Sequence, residues 1–239
     1  MSAKNAEFDS LVAGIEVAYR DLGHTRDWRF LCGPRTTLSK SPAVALVTAN
    51  PGGGHHTAGH GRESCESGSA YITEQWGAAP GTHNLQRQIR ALFGLIAEKL
   101  GDGVSGDDLL NQSLTAYYIP FRSPRLSELV NAKRSIAFAE EMWATILANH
   151  IPKLIVTIDH TAFRGISAAI AKNQGRLVGV ETYATGWGNI SATKHHYQLA
   201  DEQQTALLRL PHLSTFKLFS RPECSSKLDQ IIGASVAHL

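Results

Sequence analysis

The feature that most constrains this chain is an alternation of two kinds of segment. Short apolar runs at 43–49, 114–119, 153–158, 177–184 and 206–210 are separated by longer stretches with helical periodicity. The first run, Ala43 to Ala49, and the third, Lys153 to Ile158, are nearly continuous in apolar residues. A strand of that kind has no polar face to give to water, so it needs cover on both sides. The cover is available. Leu85, Ile89, Leu92, Phe93, Ile96 and Leu100 form one helical stripe, and Gly101 follows where a left-handed C-terminal residue belongs. Further helices are expected at 8–21, 126–148, 161–173 (ending at Gly175) and 224–236. The expected fold is therefore α/β. It is a single three-layer domain over 1–239, with a central, mostly parallel four- to five-stranded sheet flanked by helices.

The remaining segments read as connections. Residues 24–42 carry Gly33-Pro34 and Ser41-Pro42 and predict a loop with an irregular edge element. Residues 51–82 form a long loop, 101–108 a Gly/Asp turn leading to Leu109-Leu110-Asn111, and 185–203 a loop. Parallel strands end on one side of a sheet. Asn50, Asn111 or the loop at 120–124, and His212 are expected along that rim.

The first run stops at Asn50-Pro51-Gly52-Gly53-Gly54. Neither GxxxxGK[ST] nor a GxGxxG opening a helix is present, so these glycines predict no nucleotide phosphate loop. His55, His56 and His60 lack a zinc spacing, and His195-His196 would point apart on a regular element. No metal and no cofactor is expected. Three cysteines, Cys32, Cys65 and Cys224, lie far apart, which fits free thiols in a reducing, cytoplasmic setting. The first ten residues lack an apolar core, so no signal peptide is expected, and no run reaches the length of a membrane span. The formal net charge of +2 argues against a broad nonspecific nucleic-acid footprint and leaves room for a local basic patch.

Three stretches, TANPGGG (48–54), LLNQSLTAYYIPFRSP (109–124) and LPHLSTFKLFSRPECSSKLDQII (210–232), together resemble the motifs of the uracil-DNA glycosylase superfamily in order and spacing. The resemblance spans about 43–235. It implies a water-positioning Asn50 in an Asn-Pro-Gly loop with Pro51 and Gly52 at the base pocket. It also implies a base-reading Asn111 and a His212 that donates to the departing base. Ser214, Thr215, Lys217 and Arg221 would then sit in a DNA-contacting loop, with Arg122 and Ser123 as a further phosphate clamp. Phe216, Leu218 and Phe219 are wedge candidates. Tyr71, with Trp76 second, is the expected lid on the flipped base. The register of 114–119 leaves Tyr117 or Pro120-Phe121 as alternatives to Asn111.

The chemistry these roles require is specific. The sugar gains positive charge as the glycosidic bond breaks, and the base gains negative charge. An imidazole N–H suits the second need. An amide does not titrate, so Asn50 can orient water but cannot be a strong base. The superfamily's fastest uracil enzymes have Asp there, and this chain departs from them. They also place a bulky aromatic where Gly52 stands, which blocks substituents at pyrimidine C5. The expectation is a monofunctional glycosylase, with no lysine nucleophile beside the motifs. Its substrate would be uracil or, more in keeping with Gly52, a C5-modified base such as hydroxymethylated or glucosylated cytosine. Such an enzyme would serve antiviral defence against phage. The expected partner is DNA, with no membrane and a monomeric protein. The alternatives are a non-catalytic DNA-binding or damage-sensing relative, and an α/β enzyme acting on a small nucleotide-like substrate.

Overall fold

A computed structural model describes residues 3–39, 42–53, 60–200 and 203–237. The elements run α1 (Ala3–Asp21), α2 (Thr36–Ser39), β1 (Val44–Thr48), α3 (Ala70–Thr73), α4 (Asn84–Leu100), α5 (Gly106–Gln112) and β2 (Leu114–Tyr117). They continue with α6 (Ala132–Asn149), β3 (Leu154–Thr157), α7 (His160–Lys172), β4 (Arg176–Ala184), β5 (Ser191–Gln198), β6 (Gln204–Arg209), α8 (Leu213–Phe216) and α9 (Pro222–Val236).

The six strands form one sheet in the order β2-β1-β3-β6-β5-β4. The first four in that order are parallel, and β5 and β4 add an antiparallel hairpin on the far side of β6. Residues 28–32 lie against β2 on the other edge through the bridges Trp28–Phe121 and Leu31–Ala116. The expected α/β layering is present, and the pleat shows why. Ala45, Val47, Ile155 and Leu207 face a core with Ile15 of α1, Trp143 of α6 and Ile166 of α7. Val44, Leu46, Leu154, Val156 and Leu208 face a second core with Leu92 of α4, Leu110 of α5 and Ile231 of α9. Every residue of β1 and β3 is buried.

The α4 boundaries follow local chemistry. His83 accepts from the Leu85 amide, Gln86 reaches back to the His83 amide, and Gly101 closes the helix at φ +70°.

The helix expected over 126–148 begins only at Ala132, and α3 is a helical turn inside the expected loop 51–82; two further departures bear on the sheet and its cover. Residues 191–198 are strand, where 185–203 was expected to be loop, which brings the sheet to six strands. SATKHHYQ is polar, but its cross-strand pairing with β4 and β6 satisfies the backbone, and the buried Lys194 finds Ala234 O on α9. Residues 106–112 are helix, where a turn over 101–108 leading to Leu109-Leu110-Asn111 was expected, because Ser105 caps the first turn and Leu109 and Leu110 pack under α4.

Candidate functional site

The chain leaves β1 toward β2 on one side of the sheet, and β3 leads toward β6 on the other. The order therefore reverses between β1 and β3. In an open parallel sheet the ligand crevice lies at that reversal, outside the carboxyl ends of the strands. The residues there are Asn50 after β1 and Asp159 after β3, with His212 after the neighbouring β6.

Asn50 is fixed by its amide nitrogen. Nδ2 donates to Ser123 Oγ (3.0 Å), Ser123 O (3.2 Å) and Pro51 O (3.2 Å), with Phe121 O at 3.5 Å. Three of these acceptors are carbonyls, so the amide orientation is chemically forced. The side-chain oxygen is the end left for a ligand or water. The Ser123 amide donates to Pro51 O (3.3 Å), and Arg122 Nη1 donates to Gly52 O (3.0 Å). The Asn50-Pro51-Gly52 loop and the 121–125 loop are thus one laced unit.

This lacing changes the expectation for Arg122 and Ser123. Ser123 is buried, accepts from Asn50 and donates to Arg125 O (2.8 Å). It is a loop fastener rather than a phosphate ligand. Arg122 is half-buried, and burial pushes its pKa down; its guanidinium braces Gly52.

Asp159, which the sequence reading passed over, is the carboxylate at the crevice. Its Oδ1 accepts from Ala162 N (2.7 Å) and so caps α7. Its Oδ2 is buried and has no hydrogen bond of good geometry among the described residues. Burial raises its pKa above the ordinary carboxylate value, against the opposing pull of the Ala162 amide, the His212 imidazole and the Thr161 and Ala49 amides. The available signal was positional: Asp159 is the first acidic residue after the apolar run 153–158.

His212 stands just before α8, and its Nδ1 lies 2.9 Å from Ser214 Oγ. With that hydroxyl donating to Nδ1, the neutral ring carries its proton on Nε2. His212 is exposed by surface area, but the surrounding protein desolvates its ring enough to lower its pKa, while nearby Asp159 pulls the other way. Asp159, His160, Arg209, His212 and Phe216 line a cavity of about 430 Å³ together with Asn189 to Ser191 from the β4–β5 turn.

The other expected residues fall as follows. Asn111 is not at this rim. Leu114 pairs with Ala45 at the start of both parallel strands, so Asn111 lies at the opposite end of the strands from Asn50. Its Oδ1 accepts from Ser69 N (2.7 Å) and anchors α3 to α5. At the rim, β2 delivers Tyr117, which pairs with Thr48 in the register. Tyr71 is buried and covered by the edge of Trp76 (5.2 Å, 68°), so it packs the core and presents no lid. Pro51 is buried beneath the loop, and Gly52 is exposed. Thr215 and Lys217 are exposed and Ser214 half-exposed on the loop after β6. Of the wedge candidates, Leu218 is fully buried and Phe216 and Phe219 pack partly against the same core. Arg221 stacks on Trp187, its guanidinium carbon 3.5 Å from the ring centroid.

Gly54, His55 and His56 lie outside the described residues. His60 lies 3.4 Å from Glu74, whose carboxylate also takes two bonds from Arg29 (2.8 and 2.6 Å) and one from Trp76 Nε1 (2.8 Å). Among the described residues no group of three or more His, Cys, Asp or Glu side chains is arranged to hold a metal. Among them no helix is long and apolar enough to cross a membrane.

Scans against protein-family models and against curated proteins find no match to this chain.

Proposed function

We propose that this protein is a DNA glycosylase that extrudes a C5-modified pyrimidine and hydrolyses its N-glycosidic bond. One observation carries the reading. Asp159, with one oxygen unpartnered among the described residues, lines one cavity with His212, whose ring pairs with a serine hydroxyl, and it also feels the Ala49 amide next to Asn50, whose own amide nitrogen is committed. Those are the groups that water-mediated displacement at an anomeric carbon uses.

The chemistry balances on these residues. The C1′–N bond breaks with its electron pair passing to the base. His212 Nε2–H donates to the base oxygen that gains charge, as an oxyanion-hole group does. The Asp159 carboxylate faces the cationic sugar and orients the water held beside Asn50. As the water oxygen bonds to C1′, Asp159 accepts its proton, and the raised pKa makes it a better acceptor than an exposed carboxylate. The released base takes a proton from solvent.

Gly52 supports the substrate class. Among the described residues a Cβ built there meets nothing within 4 Å, and its φ is ordinary, so these neighbours do not require glycine. The missing side chain leaves room beside the Asn50 loop for a C5 substituent. Hydroxymethylated or glucosylated cytosines of phage DNA are the chemical class proposed, with defence as the role.

The test is abasic-site formation by the full chain on duplex and single-stranded DNA carrying uracil, thymine, 5-hydroxymethylcytosine or its glucosylated form. Cleavage of a C5-modified substrate is expected. DNA binding with no abasic sites on any member of the panel would refute catalysis and favour the non-catalytic relative.

A further inference from the structure

The turn between β4 and β5 is built as a rigid tip. The Thr185 amide and hydroxyl both donate to Ile190 O (3.1 and 2.8 Å), and the Ile190 amide donates to Trp187 O (3.1 Å). Gly186 and Gly188 flank the tryptophan at φ +85° and +50°, a backbone that side chains disfavour. A Cβ on Gly186 would stand 2.5 Å from Glu223 O, so the tip is pressed against the start of α9. Lys194, buried behind it, donates to Ala234 O at the far end of that helix.

On this tip stands an exposed indole. Trp28 and Trp143 are 0% exposed, whereas Trp187 is 37% exposed. One side of it is taken by Arg221, at 3.5 Å from the ring centroid. Arg221 is itself held, with Nε donating to Phe216 O (2.8 Å) and Nη1 at 3.8 Å from Glu223. The neighbouring residues Asn189, Ile190 and Ser191 wall the cavity that Asp159 and His212 line. A fixed aromatic surface with a cation behind it therefore stands two residues along the tip from Asn189 in the cavity wall, and its Arg221 is tied to Phe216 of the same wall.

We infer that the Trp187 indole, backed by Arg221, is a stacking platform for an unpaired nucleobase beside the reacting nucleotide. This rests on the DNA reading of the crevice. Stacking needs an accessible base face, and bases inside a duplex have theirs covered by neighbours. The platform therefore takes a base from a single strand or from a stretch opened by extrusion. Because every base has such a face, the contact tolerates any sequence. The guanidinium adds attraction for the backbone phosphates that flank the stacked base.

The test compares the full wild-type chain with W187F and W187L on three probes: a short oligo-thymidine, a duplex with an unpaired bubble and a fully paired duplex. Leucine still covers Arg221 but cannot stack, which separates a ligand platform from a packing role. W187L is expected to bind oligo-thymidine and the bubble about tenfold more weakly, the low end of what one base–aromatic stack contributes. W187F keeps most of the affinity, and the paired duplex changes little. Equal binding of oligo-thymidine by W187L and wild type, or an equal loss on all three probes, overturns the inference. Oligo-thymidine is also expected to quench the fluorescence of wild type and much less that of W187F; equal quenching overturns it as well. Wild type that excises a base while W187L binds normally leaves the glycosylase reading standing and removes only the platform. Wild type that binds none of the probes at low salt removes both.

Discussion

Asp159 and Gly52 carry the two sharpest residue-scale expectations. Asp159→Asn keeps an oxygen to cap α7 and removes the charge, so the fold should stand while the chemistry fails. Single-turnover excision is expected to fall about a hundredfold or more, with DNA affinity within about twofold of wild type. A retained rate would remove the carboxylate from the mechanism. Gly52→Phe places a ring in space where a Cβ meets none of the described residues. Thermal stability should change by less than about 0.5 kcal/mol, as for most surface substitutions. Excision of C5-modified bases should drop at least about tenfold relative to uracil in a side-by-side assay, because the ring closes the room that glycine leaves. Arg122 and Ser123 show a limit of motif reading at this scale. A motif names a residue type, whereas its partner decides whether it meets a ligand or a neighbouring loop.

At the scale of elements, the edge at 28–32 is tied to α3 by a buried ion pair. Arg29 and Glu74 are 2% and 7% exposed and bond through two nitrogens. Burial disfavours the Glu74 charge, but the Arg29 guanidinium overcomes that and holds its pKa below the ordinary value. Arg29→Met would take from the buried Glu74 carboxylate its two guanidinium bonds and leave only Trp76 Nε1 and nearby His60. Breaking such a pair costs about 3–5 kcal/mol. Chemical denaturation should show that loss, and the double variant R29M/E74L should recover much of it. A loss below about 1 kcal/mol in the single variant would show that water reaches Glu74. The β4–β5 hairpin carries the complementary lesson. Its polar β5 looked like loop because strand propensity is weak beside the cross-strand pairing that fixes it.

The whole molecule places several histidines where burial lowers their pKa. His24 is the clearest, with Nε2 2.9 Å from Ser135 Oγ and its ring stacked on Phe121 at 4.1 Å. His195 is lowered by the same cause, and the more exposed His212 by partial desolvation. Protonation therefore favours the unfolded chain, which binds protons more readily than the folded one. Their stabilising share is complete above the unfolded value of 6.5 and is lost as pH falls through the lower folded values. Urea midpoints should drop as pH is taken from above 6.5 to well below it. His24→Gln, which cannot titrate, should flatten that slope. An unchanged slope would assign the acid sensitivity to other groups.

The sequence alone determined the layers and the first strand's end. Continuous apolar runs can be buried only between two helical layers, and Asn50-Pro51-Gly52 can only stop a strand. Asn50 and His212 were legible for that reason, since each follows an apolar run by one or two residues. Tertiary structure decided what no spacing could. Strand order set the crevice between β1 and β3, and parallel register sent Asn111 to the opposite end of the strands. Strand order also brought Asp159 beside His212, more than fifty residues away in the chain. Side-chain periodicity is a local property of the chain, whereas the neighbours across a sheet are fixed only when the whole core is packed.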